Sequence, residues 1–205
     1  MTTLKGLPLY DMQIQDEMDG VYKISLVDAP AIESNFILFN DDEKKKFYFK
    51  DEEKHIITGP CMIPRIPIYR VDDTGFEFYV QFSEETIRKS AELFMKKGFQ
   101  SNISVDHRFD VEGAYVFESY IIDKERGIDP KDLDLPSGTW CVSIKCENQE
   151  LWEKLKNTDL LHGMSIETIN TVERMSKQEP KFDKQEHVEE HKNLIDELLD
   201  MKDEM

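Results

Sequence analysis

The chain has 205 residues, 39% of them hydrophobic and 34% charged, so it is long enough for one core domain plus a tail and too apolar to be wholly disordered. No apolar run approaches the ~20 residues that cross a bilayer, and the first twenty residues lack the apolar stretch of a secretory signal, so neither a membrane partner nor export is expected. Lys and Arg number 26 against 43 Asp and Glu; the net charge of −17 repels phosphate backbones and argues against a nucleic-acid partner.

The first twenty residues read as an N-terminal extension. Val21, Ile24, Leu26 and Val27 read as a buried strand, which Pro30 ends because it supplies no backbone donor. Residues 36–39 read as another strand. Phe47-Tyr48-Phe49, set between charge clusters, reads as an edge strand, since flanking charges guard against edge pairing. Residues 56–57 and 61–63 are strand pieces around the Gly59-Pro60 turn. Residues 65–82 read as a strand, a turn at 72–75, and a second strand with large apolar side chains at 76, 78, 80 and 82.

Ser83 then caps a helix. Glu84 and Glu85 favour its first turn, Ile87, Ala91, Phe94 and Met95 form its apolar stripe, and Lys96-Lys97-Gly98 ends it. Short and long strands follow at 103–107 and 114–123, joined by a polar turn. After a loop rich in Asp, Pro and Gly comes a strand at 139–146. Asn148 caps a second helix whose Leu151, Trp152 and Leu155 face the core, and residues 163–169 form a last strand. From about Thr171 the composition changes to a charged linker, and then to Leu194, Ile195, Leu198, Leu199 and Met201 at helical spacing. The expected organisation is therefore an extension (1–20), a domain (21–171) and a tail with an acidic amphipathic helix (172–205). Runs of strands interrupted by helices, without regular alternation, point to an α+β fold on a mixed or antiparallel sheet that could close into a barrel.

Three cysteines, Cys61, Cys141 and Cys146, with no CxxC pair, speak against a disulfide framework or a zinc knuckle; Cys141 and Cys146 lie in an apolar run as small buried hydrophobes. His187 and His191 stand four apart, a spacing that can clamp a metal, but no third ligand is fixed nearby, so no metal or other cofactor is expected. His55 reads as solvent-facing. No GxGxxG or Walker-type loop occurs.

The residues that could carry chemistry are a serine and a histidine. Ser165 sits in Gly163-Met164-Ser165-Ile166-Glu167, and a serine hydroxyl becomes a nucleophile only beside a base. His107, at the polar end of a strand, is the base that folding would have to bring to it. His162 lies three residues before Ser165. A third group should orient the imidazole, and two carboxylates compete for that role: Glu118, within a strand, and Asp28, in a turn. Asp106 is a poorer choice because adjacent strand residues point to opposite faces. Ser165 lacks the Gly-x-Ser-x-Gly elbow of the α/β-hydrolases, since position 167 is Glu.

Val27-Asp28-Ala29-Pro30-Ala31-Ile32, Val105-Asp106-His107-Arg108, residues 116–121, Gly138-Thr139-Trp140, the Trp152 helix and residues 163–167 occur in an order that resembles phage serine proteases of the XkdF type, relatives of the tailed-phage prohead proteases. The resemblance spans about residues 20–170. It implies a fold like that of the herpesvirus assembly protease, a β-barrel-like core with surrounding helices. It also implies endopeptidase activity on scaffold, on capsid protein segments and on the protease itself, inside the assembling prohead in the host cytoplasm. Scaffold and major capsid protein would be its partners, and a homo-oligomer is compatible with activation on association. His107 matches the motif's base, Ser165 its nucleophile and Glu118 a recurring glutamate, with Asp28 the competitor for the third place; Arg108 would help to position substrate. A non-catalytic assembly module that keeps the same fold is the alternative.

Overall fold

The computed structural model describes residues 2–15, 17, 19–27, 49–51, 54–72, 74–130, 133–157, 163–169 and 171–172. In chain order the first strands are β1 (Thr3–Leu4), β2 (Leu7–Gln13), β3 (Gly20–Val27), β4 (Phe49–Asp51), β5 (Ile56–Met62), β6 (Ile68–Val71) and β7 (Glu77–Phe82). Helix α1 (Glu84–Lys96), a 3-10 turn (Phe99–Ser101), β8 (Ile103–Val105), β9 (Phe109–Asp110), β10 (Ala114–Ile121), β11 (Trp140–Cys146), α2 (Gln149–Asn157), β12 (Gly163–Ile169) and β13 (Thr171–Val172) follow. The fold is α+β and rich in strands, as the sequence pattern implies.

The strands form three sheets and do not close into a barrel among the described residues, so the barrel-like core is corrected. One sheet runs β1-β2-β7-β6, with β13 also on β2; the second runs β10-β11-β5-β4; the third runs β12-β3-β8-β9. Alternation in a sequence assigns faces but not partners, which is why three separate sheets were not legible. The first twenty residues, read as an extension, join the first sheet. They supply β1 and β2, and β2 pairs in parallel with β7, Leu9 opposite Tyr79 and Met12 opposite Phe82. β4 lies at a sheet edge, as its charged flanks suggested. The strand expected at 36–39 and the linker and helix expected beyond Val172 lie outside the described residues.

Helix α1 forms for the expected reasons. The Ser83 side chain accepts from the Thr86 amide at 3.1 Å, Glu84 and Glu85 occupy the first turn, and the chain leaves through Gly98 in the left-handed region. Its buried face is Ile87, Ser90, Ala91, Leu93 and Phe94; Met95 turns outward instead. Phe94 is fully buried edge-on to Trp140, with ring centroids 5.4 Å apart, and edge-on to Phe99 at 6.3 Å. Asn148 caps α2 by accepting from the Leu151 amide, and the Trp152 ring it buries stacks on His55 at 4.8 Å. His55 is thus packed on an aromatic ring and not simply solvent-facing. One continuous core takes side chains from all three sheets and both helices.

Candidate active site

The third sheet carries the site. β12 and β3 are antiparallel with Ser165 opposite Ser25 and Glu167 opposite Lys23; β3 and β8 are parallel with Ser25 beside Ser104. Because strand side chains alternate, these polar residues share one face. Met164 and Ile166, Ile24 and Leu26, and Ile103 and Val105 share the other, which packs into the core. A hydrophobic face and a polar face on the same three strands fix the register, since a one-residue slip would exchange them.

The chain from β8 into β9 turns back over the polar face. Asp106 and His107 have φ of 52° and 56°, and the Arg108 amide donates to the Val105 carbonyl at 3.1 Å. Two consecutive left-handed residues make the turn sharp, a conformation that Asp and His tolerate better than branched residues do. The turn is anchored from below: the Asp106 amide donates to Leu26 O, and the His107 amide donates to Ser25 Oγ at 2.9 Å. His107 is therefore on the turn beyond β8, and its backbone is pinned to the strand that lies beside Ser165.

The imidazole has a carboxylate partner. Its Nδ1 lies 3.1 Å from Glu167 Oε1. Tyr22 donates its hydroxyl to Glu167 Oε2 at 2.9 Å, and Ser104 donates to Oε1 at 3.4 Å. Tyr22 reaches Glu167 because the register skips it: Lys23 pairs with Glu167 and Val21 with Thr168. Such a bulge re-aims a side chain. Burial, then the bond to Glu167, pushes the Tyr22 phenol up to about 12, so it remains a donor at neutral pH. Lys23 ties β9 to the same face through Asp110 at 2.7 Å.

Ser165 stands two residues before Glu167, on the same face and in the row next to Ser25. No hydrogen bond joins its hydroxyl to the imidazole among the described residues. The other expected carboxylate is elsewhere: Glu118 lies in β10, in the second sheet, and accepts from Ser143 Oγ at 2.5 Å, while Ser143 also shares a hydrogen bond with Thr58. Asp28, His162, His187 and His191 lie outside the described residues. Glu167 is thus the carboxylate partner of His107 that reading the sequence missed. Its signal was present, because Ser-x-Glu in a strand places both side chains on one face.

A cleft runs along β12 where it passes β5, β6 and β7, lined by Cys61, Met62, Ile68, Arg70, Phe82 and Ser165. The Cys61 thiol contacts Met164 sulfur at 3.9 Å, and burial pushes that thiol well above its ordinary range, so it is an inert wall. No cluster of three or more His, Cys, Asp or Glu side chains able to hold a metal occurs among the described residues.

The third sheet of this strand-rich α+β domain thus gathers a serine, an imidazole and a carboxylate. The family model described as Putative phage serine protease XkdF matches residues 44–173, about two thirds of the chain, and the chain belongs to that family. The match takes in His107, Ser165, Glu118 and Glu167, and begins after β3. No curated protein and no solved structure matches.

Proposed function

We propose that the protein is a serine endopeptidase of phage capsid maturation, acting on scaffold and capsid protein segments and on itself, within the prohead in the host cytoplasm. Ser165 is the nucleophile, His107 the base, and Glu167, in the place considered for Glu118 or Asp28, the group that orients the base. The observation that carries this reading is the 3.1 Å contact of His107 Nδ1 with Glu167, beside Ser165 on the same face. With a carboxylate on Nδ1, the imidazole carries its proton there, and Nε2 is left as the basic nitrogen. Nε2 takes the Ser165 proton as Oγ attacks the peptide carbonyl. The protonated imidazole, paired with Glu167, then gives that proton to the leaving amine. Water deprotonated by the same nitrogen hydrolyses the acyl-enzyme and returns Ser165 to its starting state. Nucleophile–base contacts are often long without substrate, so catalysis requires Ser165 Oγ to come within hydrogen-bond reach of Nε2 when substrate binds.

The oxyanion needs backbone donors, and the register bears on which they are. The Ile24 amide donates to Asn102 O and Leu26 O accepts from Asp106, so these β3 residues face β8. By alternation Ser25 faces β12, and the Ser165 amide is engaged with Ser25. By the same alternation the Ile166 amide, one residue on, points away from β3 toward the edge that no described strand occupies, and it is the candidate donor.

The missing Ser165–His107 hydrogen bond favours the second reading, a non-catalytic assembly module. Co-expression with scaffold and major capsid protein decides between them. Discrete cleavage products that vanish in Ser165→Ala and in His107→Ala support the peptidase; processing unchanged in both variants supports the module.

A further inference from the structure

We propose that the cleft beside β12 docks an extended peptide bearing a carboxylate side chain, the peptide adding as a strand to the open edge of β12 and its carboxylate pairing with Arg70. This rests on the peptidase reading of Ser165 and names what that site would recognise.

Two observations carry it. The first is the edge itself. β12 pairs with β3 alone among the described strands and ends its sheet. With the Ser165 backbone turned toward β3, the N–H and C=O groups of Met164 and Ile166 point outward into the cleft. An extended peptide satisfies such a row of groups in the way any edge strand accepts a partner. It would run directly past Ser165, which lines the same cleft.

The second is Arg70. It shares a strand face with Ile68, opposite Phe78 and Val80 on β7, and is one of the residues that line the cleft. Its side-chain hydrogen bond goes to the Tyr69 carbonyl at 3.0 Å, and no carboxylate pairs with it among the described residues. The residue is exposed overall, so an incoming carboxylate can reach the guanidinium. A planar guanidinium in a partly apolar cleft binds a carboxylate through two parallel hydrogen bonds, which gives direction as well as attraction. The competing role is that of an inward charge guarding the edge strand β6 against pairing, which requires no ligand.

The test is binding by the full-length Ser165→Ala protein, which separates docking from catalysis. Fluorescein-labelled decapeptides of Ala, Ser and Val with one central Glu, Gln or Lys are titrated by fluorescence anisotropy. The Glu peptide binds at least tenfold tighter than the other two. Arg70→Gln in the same background abolishes the preference while the Gln peptide still binds, and Arg70→Glu transfers it to the Lys peptide, which an unfolded variant could not do. Equal binding of the three peptides, binding of none, or a preference that survives Arg70→Gln overturns the proposal. Fluorophosphonate labelling of wild type tests the parent reading separately. Labelled Ser165 without a peptide preference sinks only the docking, and a preference without labelling sinks only the peptidase.

Discussion

Glu167→Gln is the substitution that separates the two glutamates. Glu167 accepts from the imidazole at 3.1 Å, from Tyr22 at 2.9 Å and from Ser104 at 3.4 Å. A glutamine keeps the shape, and its amide nitrogen can donate to the Tyr22 oxygen while its carbonyl still accepts from Nδ1. The geometry survives, and the charge that stabilises the imidazolium is lost. A charge-assisted hydrogen bond contributes about 1.5–3 kcal/mol against about 1 for a neutral one, so the transition state loses up to ~2 kcal/mol, about 30-fold in rate. The Glu167 side chain is 21% exposed and the His107 side chain 39%, so water partly replaces the lost charge and the effect falls below that ceiling. The assay is the initial rate of scaffold cleavage, followed by gel densitometry, for wild type, Glu167→Gln and Glu118→Gln. For Glu167→Gln the account predicts a fall in kcat of several-fold up to about 30-fold, with KM little changed. For Glu118→Gln it predicts a rate within about twofold, because an amide oxygen still accepts from Ser143. A Glu167→Gln enzyme at the wild-type rate, or a larger loss in Glu118→Gln, refutes the reasoning.

Other outcomes follow from packing and burial. Phe94→Ala leaves a hole between Trp140 and Phe99 and lowers stability by about 3–5 kcal/mol, read as a fall in the urea midpoint. Ser83→Ala removes the cap on the Thr86 amide and costs about 1 kcal/mol by the same measurement; no change would mean that the cap bond is not formed in solution. All three thiols are buried, so Ellman's reagent labels none promptly in buffer and all three in denaturant; rapid labelling of Cys61 or Cys141 in buffer contradicts the packing. Burial raises Cys141 from 9.0 to about 12, and burial raises Tyr22 and Tyr120 from 10.0 to about 12. Each folded-state pKa lies above its unfolded value, so the stabilisation is complete below pH about 9 and is lost as pH rises toward 12. The urea midpoint should fall between pH 9 and 12, and a flat or rising midpoint contradicts these burials.

Local chemistry was legible in the sequence because it is local. Ser83 with Glu84 and Glu85, the Asn148 cap and the Trp152 stripe each specify a helix end or face within a few residues, and the structure forms both helices there. Met95 shows the limit: the apolar stripe of α1 is set by what packs on it, and Leu93 occupies the place. Sheet partners were not legible, because β2 meets β7 about seventy residues on and nothing in either strand names the other. At the site, Ser165 and His107 could be singled out by type, yet their nearness depends on β3, which joins both. Tyr22 and Ser25 of that strand carry no catalytic signature. The left-handed turn at Asp106-His107 has no glycine to announce it, and it is this turn that brings the imidazole onto Glu167. Glu167 itself required reading the strand period forward from Ser165.

The whole account depends on His107 activating the Ser165 hydroxyl. Treating the purified full-length protein with a fluorophosphonate and mapping the adduct by peptide mass spectrometry measures that activation without any knowledge of the natural substrate. The account predicts one adduct, on the peptide containing Ser165, absent from His107→Ala and slowed in Glu167→Gln. A wild-type Ser165 that stays unlabelled, or one labelled equally fast without His107, would contradict it.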